Sequence, residues 1–115
     1  MFDRLLRRLR RPDRPILVDA DDLRRRLRRG DNAMLVDVRS PEEFDGDLGH
    51  IPGAFNIPLP AFSAQVGHLV RAGVPIVLVC LTDKRSSAAA AELAAAGARD
   101  VAVLRGGMRA WRAVG

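Results

Sequence analysis

The single cysteine of this 115-residue sequence, Cys80, closes a continuous apolar run that begins at Val74, and it opens the segment Cys-Leu-Thr-Asp-Lys-Arg-Ser that ends at Ser86. Cysteine acts as a nucleophile through its thiolate, so what surrounds it decides whether it reacts. Here the surroundings suit an anion. A short loop through Leu81, Thr82 and Asp83 leads to Lys84 and Arg85, and then to a Ser- and Ala-rich helix. The first backbone N–H groups of a helix lack intrahelical partners, and its dipole favours negative charge there. A nucleophile, an anion-cradling turn and basic residues in one stretch make Cys80 the candidate catalytic residue, with Leu81, Thr82, Asp83, Lys84, Arg85 and Ser86 as its substrate-binding cradle. The competing reading is a small buried hydrophobe at a strand end.

Few other residues could contribute chemistry. One cysteine allows no intramolecular disulfide and no Cys-rich metal cage, and no metal site is expected. Asp37 and Arg39 end an earlier apolar run and can pair in support of the site, although a plain strand-end ion pair of little energetic weight explains them as well. His50, inside Gly-His-Ile-Pro-Gly, reads as a hydrogen-bonded turn residue rather than a general base, and His68 has no motif around it. Met108 and Trp111 fit the buried face of a terminal amphipathic helix.

These residues need a scaffold, and the pattern supplies one. Ile16 to Val18 reads as a strand, with Asp19 as N-cap of a helix that stops at Gly30. Ala33 to Val38 is a second strand. Ser40-Pro41-Glu42-Glu43 then starts a helix with a capping box. A brief strand over Ala54 to Ile57 precedes a helix from the Pro58 and Pro60 region to Gly73. Val74 to Cys80, apolar throughout, is a strand buried on both faces and therefore central. Arg85 to Ala96 is a helix closed by Gly97, Val101 to Leu104 is the last strand, and Gly106-Gly107 turns into a final helix. Strands alternating with helices at this spacing predict an α/β fold on a mostly parallel sheet, in one domain. Ligands of such sheets gather beyond the carboxyl ends of the strands, where Cys80 lies.

The net charge of +5 is unevenly spread: residues 1 to 29 hold eleven Arg against five acidic residues, and the remainder holds eight basic against nine acidic. Residues 1 to 11 also set Phe2, Leu5, Leu6 and Leu9 on one helical face among arginines. Such a head can dock an acidic protein, a nucleic acid or a membrane surface. A solvated face is the plainer reading, since eighteen of the nineteen basic residues are Arg, as a compositional bias would produce. No apolar run approaches the roughly 18 to 20 residues that span a bilayer, and the N-terminus has no signal-peptide core, so the expected location is cytoplasmic.

Four separated segments resemble the rhodanese family in order. They are Leu35-Val-Asp-Val-Arg39 with Glu43-Phe44, then Gly49-His-Ile-Pro-Gly-Ala54 with Asn56-Ile-Pro58, then Cys80 to Ser86, and last Leu104-Arg-Gly-Gly-Met108 with Trp111. The resemblance covers residues 16 to 115 as a rhodanese domain and leaves residues 1 to 15 as a basic N-terminal segment. It implies a five-stranded parallel sheet with helices on both sides and the active loop after the fourth strand. It further implies a single-domain, thiosulfate sulfurtransferase-like enzyme. Sulfane sulfur from thiosulfate or a persulfide would be carried on Cys80 as a persulfide and passed to cyanide or an external thiol, with no metal or organic cofactor. Four residues separate Cys80 from Arg85, as in sulfurtransferases, whereas related phosphatases have five. The sequence departs from the family at Asp83, where Gly is common, and at Leu81, often basic. Asp tolerates left-handed backbone, so the turn is expected to survive with the carboxylate outward and Lys84 beside it. The alternative function is a rhodanese-like binding module that docks an acidic partner through the Arg-rich head.

Overall fold

In the computed structural model, residues 15–114 are described. Five strands, β1 (Ile16–Val18), β2 (Met34–Asp37), β3 (Phe55–Asn56), β4 (Ile76–Val79) and β5 (Val101–Leu104), form one sheet in the order β1-β5-β4-β2-β3, every neighbouring pair parallel. The helices are α1 (Ala20–Arg28), α2 (Pro41–Phe44), α3 (Leu59–Phe62), α4 (Val66–Ala72), α5 (Lys84–Ala95) and α6 (Gly107–Val114). The fold is thus α/β, a five-stranded parallel sheet flanked by helices.

All four residues of β4 are buried, which is why its sequence is apolar without alternation: both faces of the sheet are covered at that position. The period-2 geometry of the strand divides them. Ile76, Leu78 and Cys80 join Val36, Phe62, Leu69, Ala89 and Leu93 in the core beneath α3, α4 and α5. Val77 and Val79 join Val18, Leu23, Leu35, Leu104, Met108 and Trp111 in the core beneath α1 and α6. On that second side Arg24 of α1 lies over the Trp111 ring at 3.9 Å, and a guanidinium N–H donates to the Trp111 carbonyl.

Several local expectations need adjustment. Asp19 occupies the N-cap position of α1, but its side chain makes no capping bond and instead accepts from Arg105 Nε at 2.8 Å. The helix expected up to Gly73 is broken: a 3-10 turn at Ser63–Gln65 separates α3 from α4, with Gln65 at φ −101 and ψ −6, at the edge of the right-handed helical region. By contrast, the capping box of α2 is present in full, with Ser40 Oγ accepting from the Glu43 N–H and Glu43 Oε1 accepting from the Ser40 N–H, each at 3.2 Å. The amphipathic pattern over residues 1 to 11 lies outside the described residues.

Candidate functional site

Cys80 follows β4 directly, at the carboxyl edge of the sheet, and is 1% exposed. Burial of that degree would also suit an inert core cysteine. What distinguishes this thiol is Ser86, itself fully buried. Its backbone N–H, one of the unpartnered donors in the first turn of α5, lies 3.4 Å from Cys80 Sγ, and its hydroxyl lies 3.3 Å away. The N–H donates to sulfur, and the hydroxyl can donate to it once the sulfur is a thiolate, so one residue at a helix N-terminus can place two donors on an anionic sulfur.

The loop from Cys80 to Asp83 is shaped from behind by α6. The Met108 and Arg109 N–H groups, free at the start of that helix, donate to the carbonyls of Cys80 and Leu81 at 2.9 and 3.2 Å. Gly107 makes this approach feasible. It has φ +54, and a Cβ built there would fall on the carbonyl oxygens of Cys80 and Thr82. The loop itself contains no positive-φ residue, so the expected left-handed geometry at Asp83 is not adopted: Asp83 has φ −148, is half-buried and gives no side-chain cap to α5. The permissive glycine is needed on the facing turn instead.

The two loop cations have different surroundings. Lys84 is exposed. Arg85 is engaged by Glu43 in a bidentate pair, Nη1 to Oε1 at 2.7 Å and Nη2 to Oε2 at 2.9 Å. This pair holds the Glu43 carboxyl down to about 2, assisted by the Ser40 N–H and hydroxyl and opposed by partial burial. The Arg85 pKa is raised, chiefly by the hydrogen bond to Glu43, and the nearby Cys80 also contributes.

Asp37 and Arg39 are not a weak surface pair. Both side chains are 1% exposed. Asp37 accepts from Arg39 Nε at 3.0 Å, from Nη2 at 2.7 Å and from the Arg39 backbone N–H at 3.0 Å. The remaining arms of Arg39 donate to the Glu43 carbonyl at 3.1 Å and the Gly49 carbonyl at 2.7 Å, and Asn56 Nδ2 donates to the carbonyls of Asp37 and Arg39. His50 Nδ1, at 2.9 Å, donates to the Phe44 carbonyl while its ring stacks on Phe44 with centroids 3.6 Å apart. Arg39 and His50 thereby satisfy carbonyls at the end of α2, and α2 is what presents Glu43 to Arg85.

Cys80, Leu81, Thr82, Asp83, Lys84, Arg85 and Ser86 thus form one continuous turn, and Asp37 and Arg39 brace the neighbouring one. Glu43 and Gly107 were missed as site residues. Glu43 was legible as a capping residue, and the acid that matches Arg85 lies 42 positions away. A charge match between the two segments that leave adjacent strands at the same end of a parallel sheet was the available signal. Among the described residues no group of three or more His, Cys, Asp or Glu side chains could hold a metal ion, and no helix is long and apolar enough to cross a membrane.

Such a cysteine turn on this sheet defines a class of protein, and comparison with known proteins agrees. The rhodanese-like domain model matches residues 19–114, and the chain belongs to that family. The uncharacterized protein slr1261 of Synechocystis is 38% identical over 111 residues, a match that covers 96% of this chain and 50% of the relative. The chain therefore spans about half the length of that curated relative. The solved rhodanese-like domain of the Anabaena Alr3790 protein superposes with a TM-score of 0.76 at 30% identity, covering 89% of this chain and 76% of that one. The thiosulfate sulfurtransferase of Pseudomonas aeruginosa superposes with a TM-score of 0.77 at 24% identity, covering 87% of this chain and 19% of that one, a likeness of fold. None of these supports an acidic protein partner, and the arginine-rich segment that would bind one falls mainly on residues outside those described.

Proposed function

We propose that this domain is a sulfurtransferase that carries sulfane sulfur as a persulfide on Cys80. The observation that carries the reading is Ser86 at the N-terminus of α5, whose N–H donates to Sγ and whose hydroxyl, 3.3 Å from Sγ, can donate to it in the anionic forms. They favour the thiolate needed for attack and the anionic persulfide that results. In the first half-reaction the Cys80 thiolate attacks the terminal sulfur of a donor, thiosulfate or an organic persulfide. The new S–S bond forms at Sγ, the donor's S–S bond breaks, and its electron pair leaves on sulfite or on the donor's thiolate. In the second half-reaction cyanide or an external thiolate takes the outer sulfur and Cys80 leaves as the thiolate. These 115 residues contain no second cysteine to resolve the persulfide, so the acceptor lies outside them. Leu81 to Ser86 bind the sulfur through backbone N–H groups, and Asp37 and Arg39 act at one remove, by holding the segment that faces the loop. No cofactor enters this chemistry. The domain takes in residues 16–115, and a carrier thiol that must return to its reduced form suits the cytoplasm.

The test is intact mass spectrometry of the protein after exposure to thiosulfate or glutathione persulfide and removal of the excess. A cyanide-removable adduct with the mass of one sulfur atom, absent in Cys80→Ser, is the expected result. A Cys80→Ser protein that retains full thiosulfate:cyanide activity overturns the assignment.

A further inference from the structure

The Glu43–Arg85 pair has no role in the chemistry above, yet it occupies the guanidinium that the loop itself provides. Arg85 is the second residue of α5 and adjoins Ser86, whose N–H and hydroxyl lie 3.4 and 3.3 Å from Cys80 Sγ. Both of its arms are already taken by the two oxygens of Glu43. A bidentate fork is what would recognise a sulfonate or another planar or tetrahedral oxyanion, and here a carboxylate of the protein fills it. Glu43 is also the fixed member of the pair. Its Oε1 accepts from the Ser40 N–H and hydroxyl at 3.2 Å, and its carbonyl accepts from buried Arg39 at 3.1 Å. Arg85 therefore follows Glu43, and the charges of the loop are balanced, with Lys84 and Arg85 against Asp83 and Glu43.

Resting on the sulfur-transfer reading, we infer that Glu43 is a specificity-determining positioning residue that withholds Arg85 from anionic donors, so that Cys80 takes sulfur from an organic persulfide in preference to thiosulfate. The thiosulfate dianion needs cationic compensation as it approaches a thiolate, and it delivers a second dianion, sulfite, as the leaving group. A persulfide R–S–SH needs less: its outer sulfur, with its proton, is transferred to the Cys80 thiolate, and R–S⁻ departs with the electron pair.

The experiment compares loading of the full chain by thiosulfate and by glutathione persulfide, followed as the sulfur adduct on Cys80, in the wild type and in Glu43→Gln. Gln preserves the capping geometry while removing the charge. The wild type is expected to show the higher kcat/KM with glutathione persulfide, and a preference for thiosulfate overturns the proposal without any variant. In E43Q the ratio of thiosulfate to persulfide loading should rise on the order of tenfold, the gain of one charge-assisted hydrogen bond to the donor, through a lower KM for thiosulfate. That rise should vanish when Arg85→Ala is added. An unchanged ratio, or equal losses with both donors, overturns the role of Glu43 while leaving sulfur transfer intact. Failure of both donors to load the wild type overturns the sulfur-transfer reading and this proposal with it.

Discussion

The segments that leave β2 and β4 lie side by side at one end of the sheet and are held by opposite means. After β2, side chains do the holding: Asp37, Arg39, Asn56, Ser40 and His50 spend their polar atoms on backbone groups and on one another. After β4, backbone does it: the first N–H groups of α6 grip the carbonyls of Cys80 and Leu81, and Gly107 allows the contact. The first turn is consequently a finished structure with little left over for a ligand. The second takes its shape mainly from backbone contacts with α6, its side-chain bonds being those of Arg85 to Glu43 and of Ser86 to Cys80 Sγ. Division of labour of this kind lets the sequence of the cysteine loop vary, as it does at Asp83, while the turn persists.

If that contrast is right, the two turns should fail differently. Arg39→Ala leaves Asp37 buried and uncompensated, and a loss of about 3 to 5 kcal/mol in unfolding free energy is expected from urea denaturation. A loss below about 1 kcal/mol would return the pair to the class of weak ion pairs. Gly107→Ala combines positive φ with backbone overlap and should cost roughly 2 to 3 kcal/mol, with sulfur loading of the folded fraction also impaired because the Cys80 and Leu81 carbonyls lose their registration. Normal loading in that variant would mean that α6 does not shape the loop. Ser40→Ala removes the cap of α2 at a cost of about 1 kcal/mol. It should change the ratio of donors as well if the cap fixes Glu43.

The smallest expected effect is a pH dependence. Glu43 has its pKa lowered from 4.5 to about 2 in the folded protein, so the pair contributes stability that is complete above the unfolded value and is lost as pH falls from about 4.5 towards 2. Both side chains are about a third exposed, and water screens much of the interaction. Thermal midpoints of the wild type and E43Q should accordingly converge across that interval. Curves that stay parallel through it would show that the carboxylate is not what the pair depends on.

The fold was legible because its strongest signals are local. The unbroken apolar run into Cys80 marks the one strand buried at every position, and Ser40-Pro41-Glu42-Glu43 spells out a helix cap in four adjacent letters. The limits of β1 follow from an apolar run between Pro15 and Asp19, and those of β5 from a run between Asp100 and Arg105. The break between α3 and α4 was not legible, because nothing between Ser63 and Gln65 forbids a helix and the deviation is one of backbone angle alone. Within the site, Cys80 and its loop could be read as a contiguous motif. Partnership between Glu43 and Arg85, burial of Asp37 and Arg39, and the fit of Gly107 against the loop are created by tertiary proximity, so each residue carried only its local meaning: a cap, a strand-end pair, a turn glycine. Asp83 was misjudged for the same reason. Its expected left-handed conformation presumed that the loop must bend by itself, whereas the bend is accommodated across the gap, at Gly106 and Gly107.

The near-complete enclosure of Cys80 also bears on the chemical survival of its thiol. Oxidation of cysteine to its irreversible acids requires access to the sulfur, and here access is denied. A thiol so enclosed is sheltered from bulky alkylating agents and stray oxidants, and any reagent that modifies it must first pass the turn that covers it.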